Sequence, residues 1–404
     1  MSTTPIEAAL HADVAHLAAL DRLPCSPGEA AAAAWIADRM TEAGAARVRV
    51  DEELVHGTYF TPLGILNVVG ALGGIAVLGG RRLVGGVAAT VAAAGLWQDL
   101  TGGRKRTLRR FLKRQTTTNV IAEFGPADAR HTFVVHAHHD AARTSFIFDQ
   151  TVTRFVAEKT ALMEKTDRWP PLMGLVFGGP AAVAVGAATH HRKTVAVGTL
   201  FAAGTAGVMR HMIHEPVVPG ANDNLSGVAV LLEVARRLGG DGPDGPVELP
   251  DDVRVILLSA GAEEANQEGM LAFARRYFGS QLQPDSASFL SLDTVGSPEL
   301  VLIEGEGFLR MYEYPSAMKE RVAAAARGAG VALRRGMRFT FATDGLVPLR
   351  RGYQAASIGS VSEHLVPSNY HWPTDTPDRV HYDTVAGAVE IVMETIARSG
   401  EPLG

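Results

Sequence analysis

Four long stretches without a charged residue limit what this 404-residue chain can fold into. They form two pairs, 61–80 with 83–98 and 169–189 with 194–209. At a rise of about 1.5 Å per residue, a helix of 20 residues spans about 30 Å, the thickness of the hydrocarbon core of a bilayer. Each pair therefore predicts an apolar helical hairpin with one full-length arm and one shorter arm of 16 residues.

Small residues within these stretches indicate how the hairpins pack. They recur at a spacing of four, Gly70 with Gly74 and Gly174 with Gly178. This spacing is typical of helices that pack closely in lipid. We expect the hairpins to contact membrane lipid through 61–98 and 169–209. Two alternatives stay open, namely Ala- and Gly-rich helices of a soluble core and a hydrophobic lid over an active site.

Lysines and arginines near the predicted helix ends indicate an orientation. The links inside the hairpins carry four, Arg81, Arg82, Arg192 and Lys193. The opposite ends carry twelve, the seven of the basic run 104–114 together with Arg154, Lys159, Lys165, Arg168 and Arg210. Because basic residues favour the cytoplasmic side, we expect a multi-pass membrane protein with a cytoplasmic main body and the basic run at the anionic leaflet. The alternatives are a solvated helix face for the run and a soluble cytoplasmic protein for the chain.

The charge balance and the single cysteine exclude several classes of protein. The net charge is −5, and when the seven basic residues of the run are set aside from the total of 38, 31 basic residues face 43 acidic ones. A general nucleic-acid binder is therefore not expected. Cys25 alone cannot form an intramolecular disulfide or a cysteine-cluster metal site. The N-terminus lacks a basic region followed by an apolar run, so we expect no cleaved signal peptide, and nothing specifies an oligomeric state.

Without the two hairpins, the remaining sequence has the pattern of one α/β domain. We assign 60–115 and 146–214 to inserts and 1–59, 116–145 and 215–404 to the domain. Short apolar runs predict strands buried on both faces, at Thr132–His136, Arg254–Leu258 and Phe289–Leu292. Helical patterns lie between them, at Gly227–Leu238 and Met270–Tyr277. This alternation is typical of α/β domains.

Residue types that bind metals follow the predicted strands. They are His138 and Asp140, Glu263 and Glu264, and Asp293, joined by Asp223 before a helix and His371 near the C-terminus. Because the carboxyl ends of parallel strands share one edge of a sheet, we expect these residues to converge there. Each one alone has an ordinary alternative, such as a structural histidine, an N-cap aspartate or a surface glutamate. Their combination and order are more specific.

Five motifs in this order resemble those of the co-catalytic zinc aminopeptidases, a family that includes the bacterial leucyl aminopeptidases and aminopeptidase Y. The motifs are AHHD at Ala137–Asp140, GANDNLSG at Gly220–Gly227, AEE at Ala262–Glu264, LDTVG at Leu292–Gly296 and YHWPTDTPDRV at Tyr370–Val380. Glutamate carboxypeptidase II, glutaminyl cyclase and the transferrin receptor are relatives. The resemblance covers nearly all of the domain and neither insert. It implies a zinc-exopeptidase-like three-layer α/β/α domain with a mixed, mainly parallel central sheet, interrupted by the two apolar helical hairpins.

The resemblance also implies a ligand set at the matching positions. His138 is expected to bind one metal ion and His371 the other, with Asp223 bridging both. Glu264 and Asp293 would each complete one of the two sites. Imidazole and carboxylate ligands suit zinc, so two Zn²⁺ per chain are expected, with Mn²⁺ or Co²⁺ as substitutes.

Two further residues are implied to act beside these ligands. Glu263 would be the general base for a water held between the two ions, which acidify it and polarise the scissile carbonyl. Asp140 would orient the ring of His138 by accepting its other N–H. We therefore predict a dinuclear-zinc metallopeptidase, and within that class an aminopeptidase, that acts on a peptide or small amide. The alternatives are an amidohydrolase or cyclotransferase acting on a small non-peptide amide, and a non-catalytic receptor-like scaffold.

Three positions depart from the family pattern. Ala262 stands where the family usually has glycine before the glutamate pair. The next glycine, Gly269, comes five residues after Glu264, later than in the family. The segment 343–345 lacks the histidine of a family Ser-Asp-His patch. We expect an altered loop after the glutamate pair and a different substrate-binding wall.

Overall fold

The structure, a computed structural model, describes residues 4–101, 106–151, 155, 172–240 and 247–401. Its helices are α1 (Pro5–Ala18), α2 (Pro27–Glu42), α3 (Phe60–Leu78), α4 (Arg82–Leu100), α5 (Leu172–Ala188), α6 (Arg192–Met212), α7 (Ser226–Gly239), α8 (Glu268–Tyr277), α9 (Ser316–Gly328), α10 (Leu346–Leu349) and α11 (Tyr382–Ala397). Its strands are β1 (Arg47–Val55), β2 (Gln115–Phe124), β3 (His131–His138), β4 (Val253–Ala260), β5 (Ala287–Leu292), β6 (Glu299–Ile303), β7 (Gly305–Glu306), β8 (Tyr312–Glu313), β9 (Arg338–Phe339) and β10 (Gln354–Val361). Part of the predicted charge and apolar pattern lies outside the described residues, namely Arg104, Lys105, Arg154, Lys159, Lys165, Arg168 and 169–171.

A seven-stranded mixed sheet forms the centre of the domain, in the order β1-β2-β4-β3-β5-β10-β6. The four central strands, β4, β3, β5 and β10, run parallel, whereas the outer pairings are antiparallel. In this register His136 of β3 lies opposite Leu258 of β4 and Ser291 of β5. The predicted mixed sheet is confirmed, and its parallel part is the centre.

Helices cover both faces of this sheet. Phe133 and Val135 of β3 pack into one apolar cluster with α1, α2, α7, α9 and α11. Val134 points to the other face, where it packs into a second cluster with α8 and α10. Because both faces are covered, the central strands are continuous apolar runs in the sequence. The three-layer α/β/α architecture is thereby confirmed.

The two inserts form a four-helix bundle in which α3 packs against α4, α5 and α6. The arms predicted to be short are 19 residues long in α4 and 21 in α6, compared with 19 in α3. The prediction of shorter second arms is therefore wrong. The predicted second arms stop at the first charged residue on each side. In the structure the helices continue through such residues, for example Arg82 and Asp99 in α4 and Arg210 in α6.

Glycines let these helices approach closely, at positions only partly predicted. A Cβ on Gly70 would overlap α5 and one on Gly74 would overlap α6, so this predicted pair lies at helix contacts. Gly178, in contrast, has nothing within 4 Å of where its Cβ would be, and Gly179 makes the close approach to α6 instead. The second predicted contact is wrong by one residue, which corresponds to about 100° around the helix.

The bundle carries most of the exposed large apolar side chains among the described residues. Fourteen of the twenty-one lie on it, four on α3, five on α4, two on α5 and three on α6. Leu72, Leu83 and Leu200 are 60%, 80% and 73% exposed. By length and composition α3 and α4 could cross a membrane, and α5 is apolar but shorter. Contiguous apolar surface of this kind marks a contact with lipid or with another apolar partner.

The basic run 104–114 is not a continuous charged surface in the part that the structure describes. Only 1% of the Arg109 side chain and 8% of the Arg106 side chain are exposed. Both arginines pair with Glu268 of the domain. The prediction that the run faces lipid headgroups or solvent is therefore wrong for these two residues, because buried acidic partners hold them inside.

Candidate metal centre

The structure brings the predicted metal-binding side chains to the carboxyl edge of the central strands. His138 ends β3, Glu264 follows β4 in a short turn, and Asp293 follows β5. Asp223 lies in the turn directly before α7, and His371 comes from the segment between β10 and α11. Because the parallel strands end at one edge, residues far apart in sequence meet there.

Asp223 lies between the two histidines. Its Oδ1 is 3.4 Å from Nε2 of His138, and its Oδ2 is 3.1 Å from Nε2 of His371. The same nitrogen of His371 is 3.1 Å from Oε1 of Glu264. None of these four side chains is more than 8% exposed. One buried carboxylate thus presents a separate oxygen to each imidazole.

These side chains change one another's ionisation. Burial favours neutral His371, but Glu264 and Asp223 outweigh burial and raise its pKa to about 10. Burial would raise the pKa of Asp223, yet His138 and His371 hold it below its usual range. Burial and the charge of Asp223 raise the pKa of Asp293 to about 7. Histidines that hold protons beside carboxylates indicate a site with a deficit of positive charge.

Asp140 holds the turn that carries the glutamate pair. Its two oxygens accept hydrogen bonds from the backbone N–H groups of Glu263, at 3.0 Å, and Glu264, at 2.9 Å. Its Oδ1 also lies 3.4 Å from Nδ1 of His138. Burial raises the pKa of Glu263 well above its usual value, which makes its carboxylate a stronger base. Asp140 therefore orients both a predicted ligand and the predicted base.

Two buried residues that support the site were not singled out from the sequence. Asp375 accepts hydrogen bonds from two successive backbone N–H groups in the Asp223 turn, at 2.8 and 3.1 Å. Arg22 donates to the carbonyls of His139 and Pro219, at 2.9 and 2.8 Å, and so joins the segments that follow β3 and precede α7. Asp375 lies within the last of the five motifs, which is a usable signal, whereas no motif marks Arg22.

The segment 343–345, where the family histidine is missing, places an acidic group near the site. Asp344 is 2% exposed, and neither of its carboxylate oxygens has a hydrogen-bond partner among the described residues. Burial raises its pKa to about 8, and the charges of Asp140 and Asp293 add to this shift. The carbonyl of Thr343 accepts a hydrogen bond from Nε2 of Gln267, so this segment is tied to the turn after the glutamate pair.

A cavity of about 170 Å³ lies beside the predicted ligands. Glu264 and His371 line one side of it, while 59–61 at the start of α3 and Ile213 after α6 line another. Phe148, from the second insert, packs edge-on against the ring of His371 with 4.5 Å between ring centroids. Both inserts therefore contribute to the wall of the site.

The residues present fit a divalent metal ion. Ligand atoms of His138, Asp223 and Glu264 all lie within 4.8 Å of one another. Oδ2 of Asp223 is buried and accepts no well-aligned hydrogen bond among the described residues, although His371 is near. A buried oxygen without a partner is costly unless another group satisfies it. Imidazole and carboxylate groups are the donors that zinc binds in proteins.

The sequence pattern of peptidase family M28 matches residues 205–396. This region is just under half of the chain, and it contains four of the five motifs. The match to this peptidase family agrees with the resemblance of the five motifs and supports a hydrolase of the metallopeptidase class. Of the seven predicted site residues, five fall within the matched region, and His138 and Asp140 precede it.

Solved structures of similar fold cover nearly the whole chain. The leucine aminopeptidase precursor of Bacteroides thetaiotaomicron is 16% identical, with a TM-score of 0.54 and 98% of each chain covered. The zinc aminopeptidase BSAP of Bacillus subtilis is 14% identical, with a TM-score of 0.56, 98% of this chain and 95% of that chain covered. The glutaminyl cyclase of Bacteroides thetaiotaomicron is 17% identical, with a TM-score of 0.53 and 97% of each chain covered. These similarities show the shared fold, and no curated protein matches the chain.

Proposed function

We propose that this chain is a membrane-associated, dinuclear-zinc aminopeptidase with Glu263 as its general base. The observation that carries the proposal is the placement of Asp223, which directs one oxygen to His138 and the other to His371. A carboxylate placed in this way can be shared by two metal ions. The family supports peptide-bond hydrolysis, and the aminopeptidases among the similar structures support removal of N-terminal residues.

Two ligand sets would share Asp223. His371 and Glu264 would complete one set, and His138 and Asp293 the other. When bound, a pair of zinc ions supplies Lewis-acid polarisation of the scissile carbonyl and lowers the pKa of a water. The four positive charges of two such ions would face the three carboxylates Asp223, Glu264 and Asp293, and would supply the positive charge whose lack is indicated by the raised pKa of Asp293.

Glu263 is placed to move the proton of the attacking water. Asp140 fixes the backbone of Glu263 through the N–H group, so the carboxyl group starts from a defined position. Burial raises the pKa of Glu263 well above its usual value, which makes its carboxylate a stronger base. Glu263 would accept the proton of the water and then donate it to the nitrogen of the scissile bond. The bond then breaks, and the amine leaves as a neutral product.

A second candidate is an amidohydrolase or cyclotransferase acting on a small amide. The cavity of about 170 Å³ favours it, because this volume holds a small group rather than a long peptide. The buried carboxyl group of Asp344 offers a further acid near the same site. One zinc per chain, together with conversion of an N-terminal glutaminyl peptide to its cyclic product, would support this candidate over the aminopeptidase.

We further propose that the bundle spans a membrane and leaves the catalytic domain on the cytoplasmic side. The exposed apolar side chains of α3 to α6 support lipid contact through 61–98 and 169–209. In the sequence, ten basic residues flank the outer ends of the hairpins even when the buried Arg106 and Arg109 are left out, compared with four in the links inside the hairpins. Alkaline extraction of membranes tests the first part, because a soluble protein would be released. Protease protection in everted vesicles tests the second.

Neighbouring glutamates provide the test of the catalytic proposal. We expect Glu263→Gln to keep its zinc and lose about 10²- to 10⁴-fold in the rate of aminoacyl-amide hydrolysis, since it removes a base but no ligand. Glu264→Gln is the matched control and should lose both zinc and activity. Elemental analysis and hydrolysis by the detergent-purified full chain measure both. Hydrolysis at the wild-type rate by Glu263→Gln would refute the role of Glu263.

A further inference from the structure

The turn that carries the glutamate pair has an unusual backbone. Ala262, Asn266 and Gln267 have φ values of 48°, 73° and 63°, in the left-handed region that is unfavourable for residues other than glycine. The turn closes on itself through Gln267 N–H to the carbonyl of Glu263, at 2.7 Å, and Glu268 N–H to that of Ala262, at 3.0 Å. Such a backbone persists only where its surroundings over-determine it.

The first insert supplies part of those surroundings through Arg109. Its Nη1 donates to the carbonyl of Ala265, at 3.0 Å, and to Oε1 of Glu268, at 2.7 Å. Its Nε and Nη2 donate to the carboxylate of Asp99 at the end of α4, with the shortest distance 2.7 Å. One planar guanidinium therefore joins the last turn of a bundle helix to the residues directly after Glu264.

Two more contacts bind the same turn to the insert. Nη1 of Arg106 donates to the carbonyl of Asn266, at 2.9 Å, and to Glu268, at 3.0 Å. Nδ2 of Asn266 donates to the carbonyl of Asp99, at 3.1 Å. With two arginines and two carboxylates, this buried cluster balances its charges. Burial alone would raise the pKa of Glu268. Its pairing with His56, Arg109 and Arg106 outweighs burial and holds this pKa below its usual range.

We propose that Arg109 is a positioning residue: held by Asp99, it anchors the Glu263–Glu264 turn to the first insert. The proposal rests on the proposed function for its catalytic part and on the contacts above for its structural part. It assigns part of the basic run to the interior of the enzyme. It also gives the stretch between Glu264 and Gly269 a defined contact with the insert, since the two arginines bind Ala265, Asn266 and Glu268 there.

The substitution Arg109→Lys is the sharpest test. Lysine keeps the positive charge, but its ammonium cannot present the planar fork that joins Asp99, Ala265 and Glu268. We expect a folded protein with kcat and zinc affinity each reduced about tenfold and with KM for a short aminoacyl amide little changed. Hydrogen exchange of the backbone amides in 262–268 should become faster. Arg110→Lys, at the adjacent exposed position, is the matched control and should match wild type in all four measurements.

A second variant covers the case in which Arg109→Lys does not fold. Asp99→Asn keeps the size of the side chain and the contacts of Arg109 with Ala265 and Glu268, so its effects should be smaller and in the same direction. Wild-type kcat and wild-type exchange in 262–268 for either folded variant would overturn the proposal. If the wild-type protein hydrolyses no amide, the proposed function fails, and the exchange rates still decide whether Arg109 holds the turn.

Discussion

Large apolar side chains mostly point inward in the catalytic domain, whereas the four-helix bundle buries some of them and exposes many others. In the domain Phe133 and Phe289 are fully buried between the sheet and its helices. In the bundle Leu72, Leu83 and Leu200 are all at least 60% exposed, while glycines occupy several of the helix contacts. The domain therefore has the apolar interior expected of a protein that folds in water. The bundle has the exposed apolar surface and close helix contacts expected of helices surrounded by an apolar medium.

The two regions also differ in where they bury charge. The domain gathers carboxylates and imidazoles at the carboxyl edge of its sheet, where a metal ion can compensate them. At the end of α4 that meets the domain, the bundle buries Asp99, compensated by Arg109. The two buried charge clusters lie on either side of the Glu263–Glu264 turn, so the boundary between the regions lies next to the proposed general base.

The largest expected effect concerns the metal-binding edge of the domain. Asp223→Asn removes the charge shared by both predicted sites while it keeps the size of the side chain. We expect a folded protein that loses at least about 1,000-fold in hydrolysis and most of its zinc. Asp378→Asn, at a side chain that is 91% exposed, is the control. Full activity in Asp223→Asn would show that the edge is not a dinuclear site.

A pair of leucines tests whether the bundle surface meets lipid. Leu72 of α3 is 60% exposed and Leu54 of β1 is 59% exposed, so the two differ mainly in the region to which they belong. In lipid, Leu72→Lys should cost about 3 kcal/mol, whereas Leu54→Lys in water should change stability by less than about 0.5 kcal/mol. Membrane insertion and unfolding in lipid vesicles measure both. Equal, small effects would contradict a lipid-facing bundle.

Two glycines test the interior of the bundle. A Cβ on Gly85 would overlap the backbone of Gly73 in α3, whereas Gly178 faces open space. We expect Gly85→Ala to destabilise the protein by about 1–3 kcal/mol because the helices must separate. Gly178→Ala should be neutral or stabilising by up to about 1 kcal/mol, because alanine is the better helix former. Thermal unfolding of the two variants compares them, and equal shifts would place the helix contacts elsewhere.

The smallest effect is the pH dependence of zinc binding. Glu264 and Asp223 raise the pKa of His371 to about 10 in the metal-free site, so this histidine holds a proton at neutral pH. Zinc binds the unprotonated ring, so its affinity should rise about tenfold per pH unit for each proton released below that pKa. By the same linkage, protonated His371 stabilises the metal-free fold below about pH 6.5, and this contribution is lost as the pH rises through about 10.

Calorimetry in buffers with different ionisation enthalpies measures the protons released on zinc binding. At least one proton per chain is expected near neutral pH. An apparent binding enthalpy that is independent of the buffer would show that His371 is already neutral in the metal-free protein.

The parts of this protein that sequence patterns predict are those encoded by short runs of residues. The buried strand Thr132–His136 and the motif around Glu263 are each encoded by residues that are adjacent in the chain, so both are predictable from the sequence. Arg109 could not, because its partner Glu268 lies 159 residues away and its charge alone indicates a surface residue. The close approach at Gly179 rather than Gly178 depends on how four helices rotate against one another, which a spacing of four does not determine.

The central claim is that Asp223 is shared by two zinc ions, and anomalous diffraction at the zinc edge from crystals of the full-length protein tests it most directly. The account predicts two peaks about 3.5–4 Å apart, each within bonding distance of one oxygen of Asp223. One peak should lie beside His138 and the other beside His371. A single peak, or two peaks of which only one touches Asp223, would contradict the claim.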